Sequence, residues 1–233
     1  MKHYTPSERR ELKLRVSEIF QSIDGEVNIY HQGRRAVFIR LSGCNLNCDY
    51  CDTQHENGNE MTIGEILAKV DYYKPVWKIT ITGGEPLIWG EGLRNLILCL
   101  RDILCGGPAI SLETNGTMDF SLIPKYVNLI VDYKLKSAKA SLPQNYMAKF
   151  WNLGSNDTVK FVIRDREDFE EAFAIYDQLS FNPRNPKINM ILSSFAFSPV
   201  HGVLEPKELL SWMEAFKING ILNVQLHKYL GMK

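Results

Sequence analysis

The residues with the clearest chemical potential are three cysteines in the segment LSGCNLNCDYCDT, at positions 41–53. Three residues separate Cys44 from Cys48, and two separate Cys48 from Cys51. Thiolate sulfur is a soft ligand that suits iron–sulfur clusters and zinc. Because no fourth cysteine follows nearby, three thiolates on a four-iron cluster would leave one iron open to a cofactor, whereas His55 as a fourth ligand would close a structural zinc site. The spacing therefore predicts a metal centre and leaves both alternatives open.

A pair of glycines in TGGEP, at positions 82–86, follows a predicted strand. Such a turn is common by itself. Together with CNLNCDYC, however, it resembles the radical S-adenosylmethionine superfamily. That resemblance implies a 4Fe–4S cluster on the three cysteines, whose open iron binds S-adenosylmethionine and whose electron generates a 5′-deoxyadenosyl radical. It also implies that Gly84 lets the backbone approach the methionine moiety, while Glu85 either supports the turn or shares in the contact.

Composition narrows the class of protein. The chain has 233 residues, of which 45% are hydrophobic and 23% charged, and its 27 basic residues balance its 27 acidic ones. With this balance, the chain has no excess of positive charge that would indicate nucleic-acid binding. Neither a membrane-spanning run nor a secretory signal is evident. Cys99 and Cys105 lie in an apolar helical pattern and are expected to behave as small hydrophobic residues. We therefore expect a soluble, cytoplasmic protein without a disulfide framework.

The elements that must position the cysteines alternate along the chain. Strand patterns cover 15–22, 35–41, 78–82, 109–114, 127–134, 158–164, 187–193 and 222–229. Helical patterns cover 62–73, 91–105, 166–179 and 205–217. Alternation of this kind predicts an α/β protein with a parallel sheet flanked by helices. About six such units would form a partial (β/α)6 barrel of the radical S-adenosylmethionine type, in modified form, as a single domain over residues 1–233.

Polar residues gather where four of these strands end. They are Arg40, Thr82, Glu113, Asn115, Asp132 and Lys134. Parallel strands that are buried on both faces should be nearly all apolar, so polar side chains at their carboxyl ends need a reason. One reason is that exposed loops begin there. The other is an active site, which in barrel enzymes lies at the carboxyl ends of the strands. Four strands that end alike favour the active site.

Segments outside the cysteine motif resemble one particular family within this superfamily. The segments EIFQSIDGE, VFIRLSGCN, CDT, TGGEPL, LETNGT and LHKYLG occur in the order found in the 7-carboxy-7-deazaguanine synthase family. The resemblance implies a carbon–nitrogen lyase that contracts 6-carboxy-5,6,7,8-tetrahydropterin to 7-carboxy-7-deazaguanine with loss of ammonia, for queuosine and other deazapurines. It also implies a homodimer, a magnesium ion, and an electron donor of the flavodoxin or ferredoxin type.

The same resemblance implies roles for individual residues. Thr53 matches the magnesium ligand, although a threonine here could also cap a turn. Cofactor contacts are implied for Tyr50, Cys51, Asp52, Gly84, Glu85, Asp132, Tyr133, Lys134 and Ser193. Substrate contacts are implied for Ile23, Asp24, Gly25, Arg40, Thr82, His227 and Lys233. Arg40 could instead pair with an acid, and His227, in a segment predicted as a strand, could be structural.

Three positions depart from the family pattern. Asp24 stands where glutamine is usual, Val27 where glycine is common, and Lys136, Ser137 and Ala138 where Pro-Ser-Ser is frequent. Two other functions also fit the cysteines. An activating enzyme of a glycyl-radical protein would not need the threonine of CDT or the LHKYLG segment. A non-enzymatic zinc or iron–sulfur module would have no use for TGGEP or for polar strand ends.

Overall fold

The computed structural model describes residues 4–30, 32–49, 51, 53, 56–103, 109–180 and 194–232. The strands in this part of the chain are β1 (Lys13–Ile23), β2 (Arg35–Leu41), β3 (Asn59–Thr62), β4 (Lys78–Gly83), β5 (Ala109–Thr114), β6 (Asn128–Tyr133), β7 (Thr158–Ile163), β8 (Ser194–Pro199) and β9 (Ile221–Leu222). The α-helices are α1 (Pro6–Glu11), α2 (Ile63–Asp71), α3 (Gly90–Ile103), α4 (Tyr146–Phe150), α5 (Arg166–Ser180), α6 (Pro206–Ala215) and α7 (Leu226–Tyr229). Short 3₁₀ helices cover Pro86–Trp89 and Lys136–Ala138.

All of these strands belong to one sheet, in the order β3-β1-β2-β4-β5-β6-β7-β8-β9. From β2 onward each strand is parallel to its neighbour, whereas β1 runs antiparallel to both β2 and β3. Parallel neighbours need a crossover between them, and helices supply it in most of these connections. The six long parallel strands, β2 and β4 to β8, form the expected partial (β/α)6 architecture.

Helix α2 illustrates how the sequence specifies a helix that covers the sheet. The Glu65 amide donates to Thr62 Oγ1 at 3.1 Å, and the Thr62 amide donates to the Glu65 carboxylate at 2.7 Å. This capping box satisfies amides that the first turn leaves open. Apolar side chains at helical spacing are then buried against the sheet, namely Ile63, Ile66, Leu67 and Val70.

Strand β4 shows why polar groups collect at one edge of the sheet. Ile79 and Ile81 are fully buried in the apolar core, while Thr80 and Thr82 lie on the opposite face and are also buried. Residues alternate in this way because successive side chains of a strand point to opposite faces. Thr82 is paired in register with Arg40 of β2, so the two strands end level. Their last polar side chains therefore face the same space.

The segment after β9 returns to the loop that follows β1 instead of extending the sheet. The Val27 amide donates to Asn223 Oδ1 at 3.0 Å, and the Gln32 Nε2 amide donates to the Val224 carbonyl at 2.6 Å. The Leu226 amide donates to the carbonyl of Gly25 at 3.3 Å. Because these backbone groups bond to a loop rather than to a strand, the strand predicted over 222–229 is wrong. Only β9 is extended, and α7 follows it.

The other predicted elements agree with the structure to within a few residues at each end. The strand predicted over 187–193 lies outside the described residues, which resume directly with β8. Three short elements, α1, β3 and α4, were not predicted, because segments of four to six residues carry little periodicity. Within the described residues, none of the helices combines the length and apolarity that crossing a membrane requires.

Candidate active site

A cavity of about 790 Å³ opens at the carboxyl ends of the parallel strands. Volumes of this order are usual for sites that bind small molecules. The polar strand ends that the sequence singled out all line it, namely Arg40, Thr82, Glu113, Asn115, Asp132 and Lys134. The three clustered cysteines lie in the same wall. The structure therefore brings the metal-binding motif and the polar strand ends into one space.

The cysteine loop follows β2 and is held by backbone hydrogen bonds. The Cys51 amide donates to the Cys48 carbonyl at 3.2 Å, and the Asp49 amide donates to the Ala138 carbonyl at 3.1 Å. Cys44 and Cys48 are half-buried and Cys51 is exposed. Burial raises the pKa of the Cys44 and Cys48 thiols, so they become thiolates only when a metal or hydrogen-bond donors stabilise the charge.

Both metal-centre alternatives start from the same three thiols. Among the residues that the structure describes, no group of three Cys, His, Asp or Glu side chains is placed to hold one metal ion. A 4Fe–4S cluster does not require such convergence, because each thiolate binds a different iron. His55, the fourth ligand in the zinc alternative, lies outside the described residues, as do the neighbouring cofactor candidates Tyr50 and Asp52.

Gly84 packs directly against the cysteine loop. A Cβ atom at this position would lie 2.3 Å from the Gly43 carbonyl oxygen and 2.8 Å from the Cys44 Cβ. Any side chain at residue 84 would therefore displace the loop. The Glu85 amide donates to the same Gly43 carbonyl at 2.9 Å, which fixes the turn against the loop. Only glycine allows the backbone after β4 to reach the part of the cavity that the cysteine loop lines.

Glu85 supports this turn from below. Its carboxylate is fully buried and accepts hydrogen bonds from the Leu87 amide at 2.9 Å, the Thr114 hydroxyl at 2.8 Å and the Asn115 amide at 2.7 Å. Burial raises the pKa of Glu85, against the opposing effect of these donors. The side chain does not line the cavity. Of the two roles implied for Glu85, the structure shows the supporting one, which links the ends of β4 and β5.

A row of ion-paired side chains, here called the floor of the cavity, begins near the cysteines. Lys134 Nζ lies 3.0 Å from Asp132 Oδ2, and Lys160 Nζ lies 4.0 Å from the same oxygen and 3.4 Å from Glu26 Oε2. Burial alone would raise the pKa of Glu26. The charge of Lys160 and hydrogen bonds from Gln225 and Asn223 nevertheless hold this pKa below its ordinary value. The floor is therefore a continuous row of alternating charges.

Glu113 lies beside this row. Burial, followed by the negative charge of Glu26, raises the pKa of Glu113 to about 7. Its Oε1 atom is buried and accepts no hydrogen bond from the part of the chain that the structure describes. A carboxyl group of this kind can be present in either protonation state near neutral pH, so it can both donate and accept hydrogen bonds toward a ligand.

Arg40 and Thr53 form the wall opposite the floor. Arg40 Nε donates to Glu18 Oε1 at 2.9 Å, and its Nη1 lies 3.5 Å from Thr53 Oγ1. Both side chains line the cavity. The expected pairing of Arg40 with an acid is thus present, and it leaves Arg40 facing the cavity. A guanidinium next to a hydroxyl oxygen suits a bound carboxylate.

The segment of α7 closes the far end of the cavity. His227 and Lys228 line it, and a Cβ atom on Gly25 would lie 2.1 Å from His227 Nδ1. Gly25 is therefore required for the contact between the loop after β1 and α7. The Met232 amide donates to the His227 carbonyl at 2.8 Å, which holds the final turn in place. Lys233 lies outside the described residues.

Besides Glu85, three predicted contact residues do not line the cavity with their side chains. Asp24 is fully buried, where it forms an ion pair with Lys78 and accepts a hydrogen bond from Thr80 at 3.0 Å. Its carboxylate turns away because the buried lysine needs a counter-charge. Tyr133 packs into an aromatic cluster, and Ile23 likewise faces elsewhere. Ser193 lies outside the described residues.

Several lining residues were not predicted. They are Glu26, Lys160, Ser198, His201, Gln225 and Lys228. One of them carried a signal: Lys160 interrupts TVKFVI, a strand pattern that should be apolar throughout. Glu26 is the last residue of EIFQSIDGE, a segment that was identified without a role for this residue. Of the others, Ser198 lies on β8, Lys228 lies on α7, and His201 and Gln225 lie on irregular segments. No local pattern in the sequence indicated that these four residues would line a cavity.

Comparison with known proteins identifies the class to which this fold and site belong. A family model described as the radical SAM superfamily, where SAM is S-adenosylmethionine, matches residues 38–180. That range contains the three cysteines, Gly84 and the ends of strands β2 to β7. The chain is therefore a radical SAM enzyme, and the superfamily implies a 4Fe–4S cluster and S-adenosylmethionine.

Curated relatives narrow the family. The 7-carboxy-7-deazaguanine synthase of Clostridium acetobutylicum is 32% identical over 232 residues, covering 94% of this chain and 96% of that protein. The synthase of Chlorobaculum tepidum is 33% identical over 226 residues, covering 94% and 95%. In fold, the chain is similar to the crystal structure of QueE from Escherichia coli, with a TM-score of 0.71, 20% identity, and coverage of 93% and 96%. The chain belongs to the 7-carboxy-7-deazaguanine synthase family.

Proposed function

We propose that this chain is a 7-carboxy-7-deazaguanine synthase, a carbon–nitrogen lyase that contracts 6-carboxy-5,6,7,8-tetrahydropterin with loss of ammonia. One observation carries the proposal. A single cavity is lined by three thiols and Gly84, and a row of charged side chains leads from beside Cys48 to Glu26, near Gln225 and His227. This arrangement suits a reaction in which a cofactor and a flat polar substrate must meet.

At the cofactor end, Cys44, Cys48 and Cys51 would hold the 4Fe–4S cluster. When bound, the cluster and S-adenosylmethionine supply the radical that removes a hydrogen atom from the substrate. The protein supplies position and charge. Gly84 brings backbone groups close to the cysteine loop, and Lys134, whose pKa is raised by Asp132 against the effect of burial, keeps a positive charge beside it.

At the substrate end, the charged floor suits the ring of a pterin. Glu26 and Glu113 offer carboxylate oxygens to ring N–H groups, and Gln225 donates to Glu26 Oε1 at 2.7 Å, which holds that carboxylate in place. Arg40 is suited to grip the substrate carboxylate through paired donors. A small polar molecule can satisfy these groups, whereas a protein strand threaded into the cavity would have to displace the α7 segment.

Thr53 is proposed as a magnesium ligand. Hydroxyl oxygen is a hard donor, and magnesium usually keeps several ligands from water and substrate. Thr53 lies beside Arg40 in the cavity wall. An ion at this position would neutralise the same substrate carboxylate that Arg40 contacts. A homodimer, an electron donor of the flavodoxin or ferredoxin type, and a cytoplasmic location complete the proposal on the ground of family membership.

The deciding experiment is anaerobic turnover. The chain is reconstituted with iron and sulfide, reduced, and incubated with S-adenosylmethionine and the carboxylated pterin, and the product is identified by mass. We expect 7-carboxy-7-deazaguanine and ammonia. Cys48→Ala should abolish both S-adenosylmethionine cleavage and product, whereas Cys99→Ala, a buried cysteine on α3, should retain them. Cleavage of S-adenosylmethionine without any conversion of the pterin would refute the proposed substrate.

A further inference from the structure

Asn115 presents a buried amide to the cysteine loop. It follows the end of β5 and is 6% exposed. The turn at this point is sharp, since Gly116 has a φ of 71° and donates its amide to the Thr114 hydroxyl at 3.2 Å. The side chain of Asn115 therefore leaves the strand end at a defined angle, toward Cys44.

The orientation of this amide is determined by its neighbours. The Thr117 backbone N–H lies 3.0 Å from Asn115 Oδ1, and the Thr117 hydroxyl lies 2.6 Å from the same atom. A backbone N–H can only donate, so the atom that it contacts must be the carbonyl oxygen. The amide nitrogen consequently faces the other way, where Asn45 Oδ1 lies at 3.1 Å and Cys44 Sγ at 4.0 Å.

The side chains of Asn115, Asn45 and Thr117 form a closed ring of hydrogen bonds. Asn45 Nδ2 donates to the Thr117 hydroxyl at 2.7 Å, and that hydroxyl donates to Asn115 Oδ1. One hydrogen of Asn115 Nδ2 goes to Asn45, and the second points to the sulfur. If the Asn115 amide were flipped, its NH₂ group would face the Thr117 N–H, and two donors would oppose each other. The direction of the N–H···S contact is therefore built into the turn.

Cys44 is a sulfur for which such a donor has consequences. Besides Asn115, the Leu46 amide donates to Cys44 Sγ at 3.5 Å. When the cluster accepts one electron, negative charge on its sulfur ligands increases. A hydrogen bond to a ligand sulfur stabilises the reduced form more than the oxidised form, and it raises the reduction potential.

We propose that Asn115 is a positioning residue that donates a hydrogen bond to the Cys44 thiolate of the bound cluster and thereby raises the cluster's reduction potential. The inference concerns the cluster alone and is independent of which substrate the enzyme converts. Asn115 would make the first electron transfer, from an external one-electron reductant to the cluster, more favourable. No bond is formed or broken in that step.

The test is a redox titration of the reconstituted chain, followed by electron paramagnetic resonance of the reduced cluster, without S-adenosylmethionine or pterin. Asn115→Ala removes the donor and should shift the equilibrium roughly threefold to tenfold toward the oxidised cluster, about 28 to 59 mV for one electron. Thr117→Val removes the hydroxyl that orients the amide and should shift it less, in the same direction. Asn95→Ala, which removes another buried amide that bonds to Glu91 on α3, is the matched control.

Iron and sulfide content per chain must match the unmodified protein in each variant that is compared. An unchanged midpoint potential in a cluster-loaded Asn115→Ala protein would overturn the proposal, as would an equal shift in Asn95→Ala. If Asn115→Ala fails to assemble a cluster, Thr117→Val decides the matter: a lowered potential supports the hydrogen bond, and an unchanged one refutes it.

Discussion

Replacing Glu113 with glutamine tests the electrostatics of the cavity floor. Glu113 is the last but one residue of β5, and its buried Oε1 atom accepts no hydrogen bond from the described residues. Burial and the charge of Glu26 raise its pKa from 4.5 to about 7, while Lys160 and the Thr82 hydroxyl oppose that change. Glutamine keeps the shape of the side chain and cannot ionise. It also places an N–H group where the carboxylate of Glu26 can accept it.

The sign of the effect follows from proton binding. Above about pH 4.5 the unfolded chain has lost the Glu113 proton, while the folded chain keeps it up to about pH 7. The folded state thus binds more protons, so the free energy of unfolding falls as pH rises across this interval. With about 1.4 kcal/mol per pKa unit, this group costs the folded protein about 2–3 kcal/mol more at pH 8 than at pH 5.

Glu113→Gln removes that cost. Its free energy of unfolding, relative to the unmodified chain, should therefore increase by about 2–3 kcal/mol between about pH 5 and pH 8. Urea unfolding of the metal-free chain across this range measures the difference directly. Glu208→Gln, at an exposed acid on α6, is the matched surface control. A difference between Glu113→Gln and the unmodified chain that does not change with pH would refute the interpretation.

Three further predictions concern contacts around the cavity. Tyr146→Phe removes a hydroxyl that accepts from the Lys134 amide and donates to the Asn115 carbonyl, both at 2.9 Å; it should cost about 1–3 kcal/mol in urea unfolding and weaken S-adenosylmethionine binding in calorimetry. Thr53→Ala should weaken the magnesium dependence of product formation while the absorbance of the cluster is unchanged, and an identical magnesium response would leave Thr53 as a turn residue only. His227→Ala should raise the apparent Michaelis constant for the pterin while S-adenosylmethionine cleavage without substrate persists; an unchanged constant would make His227 structural.

Features that depend on local spacing could be predicted from the sequence. The cysteine loop, the TGGEP turn and the polar ends of the parallel strands are specified by residues that are close together in the chain. Strand period places Thr82 opposite Ile81, and sheet register then sets it beside Arg40. For this reason the sequence could indicate that the cysteines, Gly84 and the polar strand ends lie together, as they do in the lining of one cavity.

Features that depend on distant partners could not be predicted in the same way. Asp24 lies within a segment that was identified, yet its carboxylate turns toward Lys78, which lies 54 positions later and pairs with it in the interior. The segment after β9 has the alternation of a strand, but Asn223 and Gln32 divert its hydrogen bonds to a loop. In both cases a partner far along the chain outweighs the local pattern, and only the folded structure reveals it.

The contact between the loop after β1 and the segment after β9 has a consequence for local motion. Between the loop after β1 and the segment after β9, the contact is made by separate hydrogen bonds, such as those of Val27 with Asn223 and of Leu226 with Gly25, rather than by a strand ladder. A contact of this kind can open without disturbing the apolar core, because local opening costs only the free energy of the few hydrogen bonds that break. The amides of Val27 and Leu226 should exchange with solvent by this local opening, whereas those in the middle of β4 should exchange only through much larger unfolding. The contact beside His227 should therefore open more readily than the parallel strands that lead to the cysteine loop.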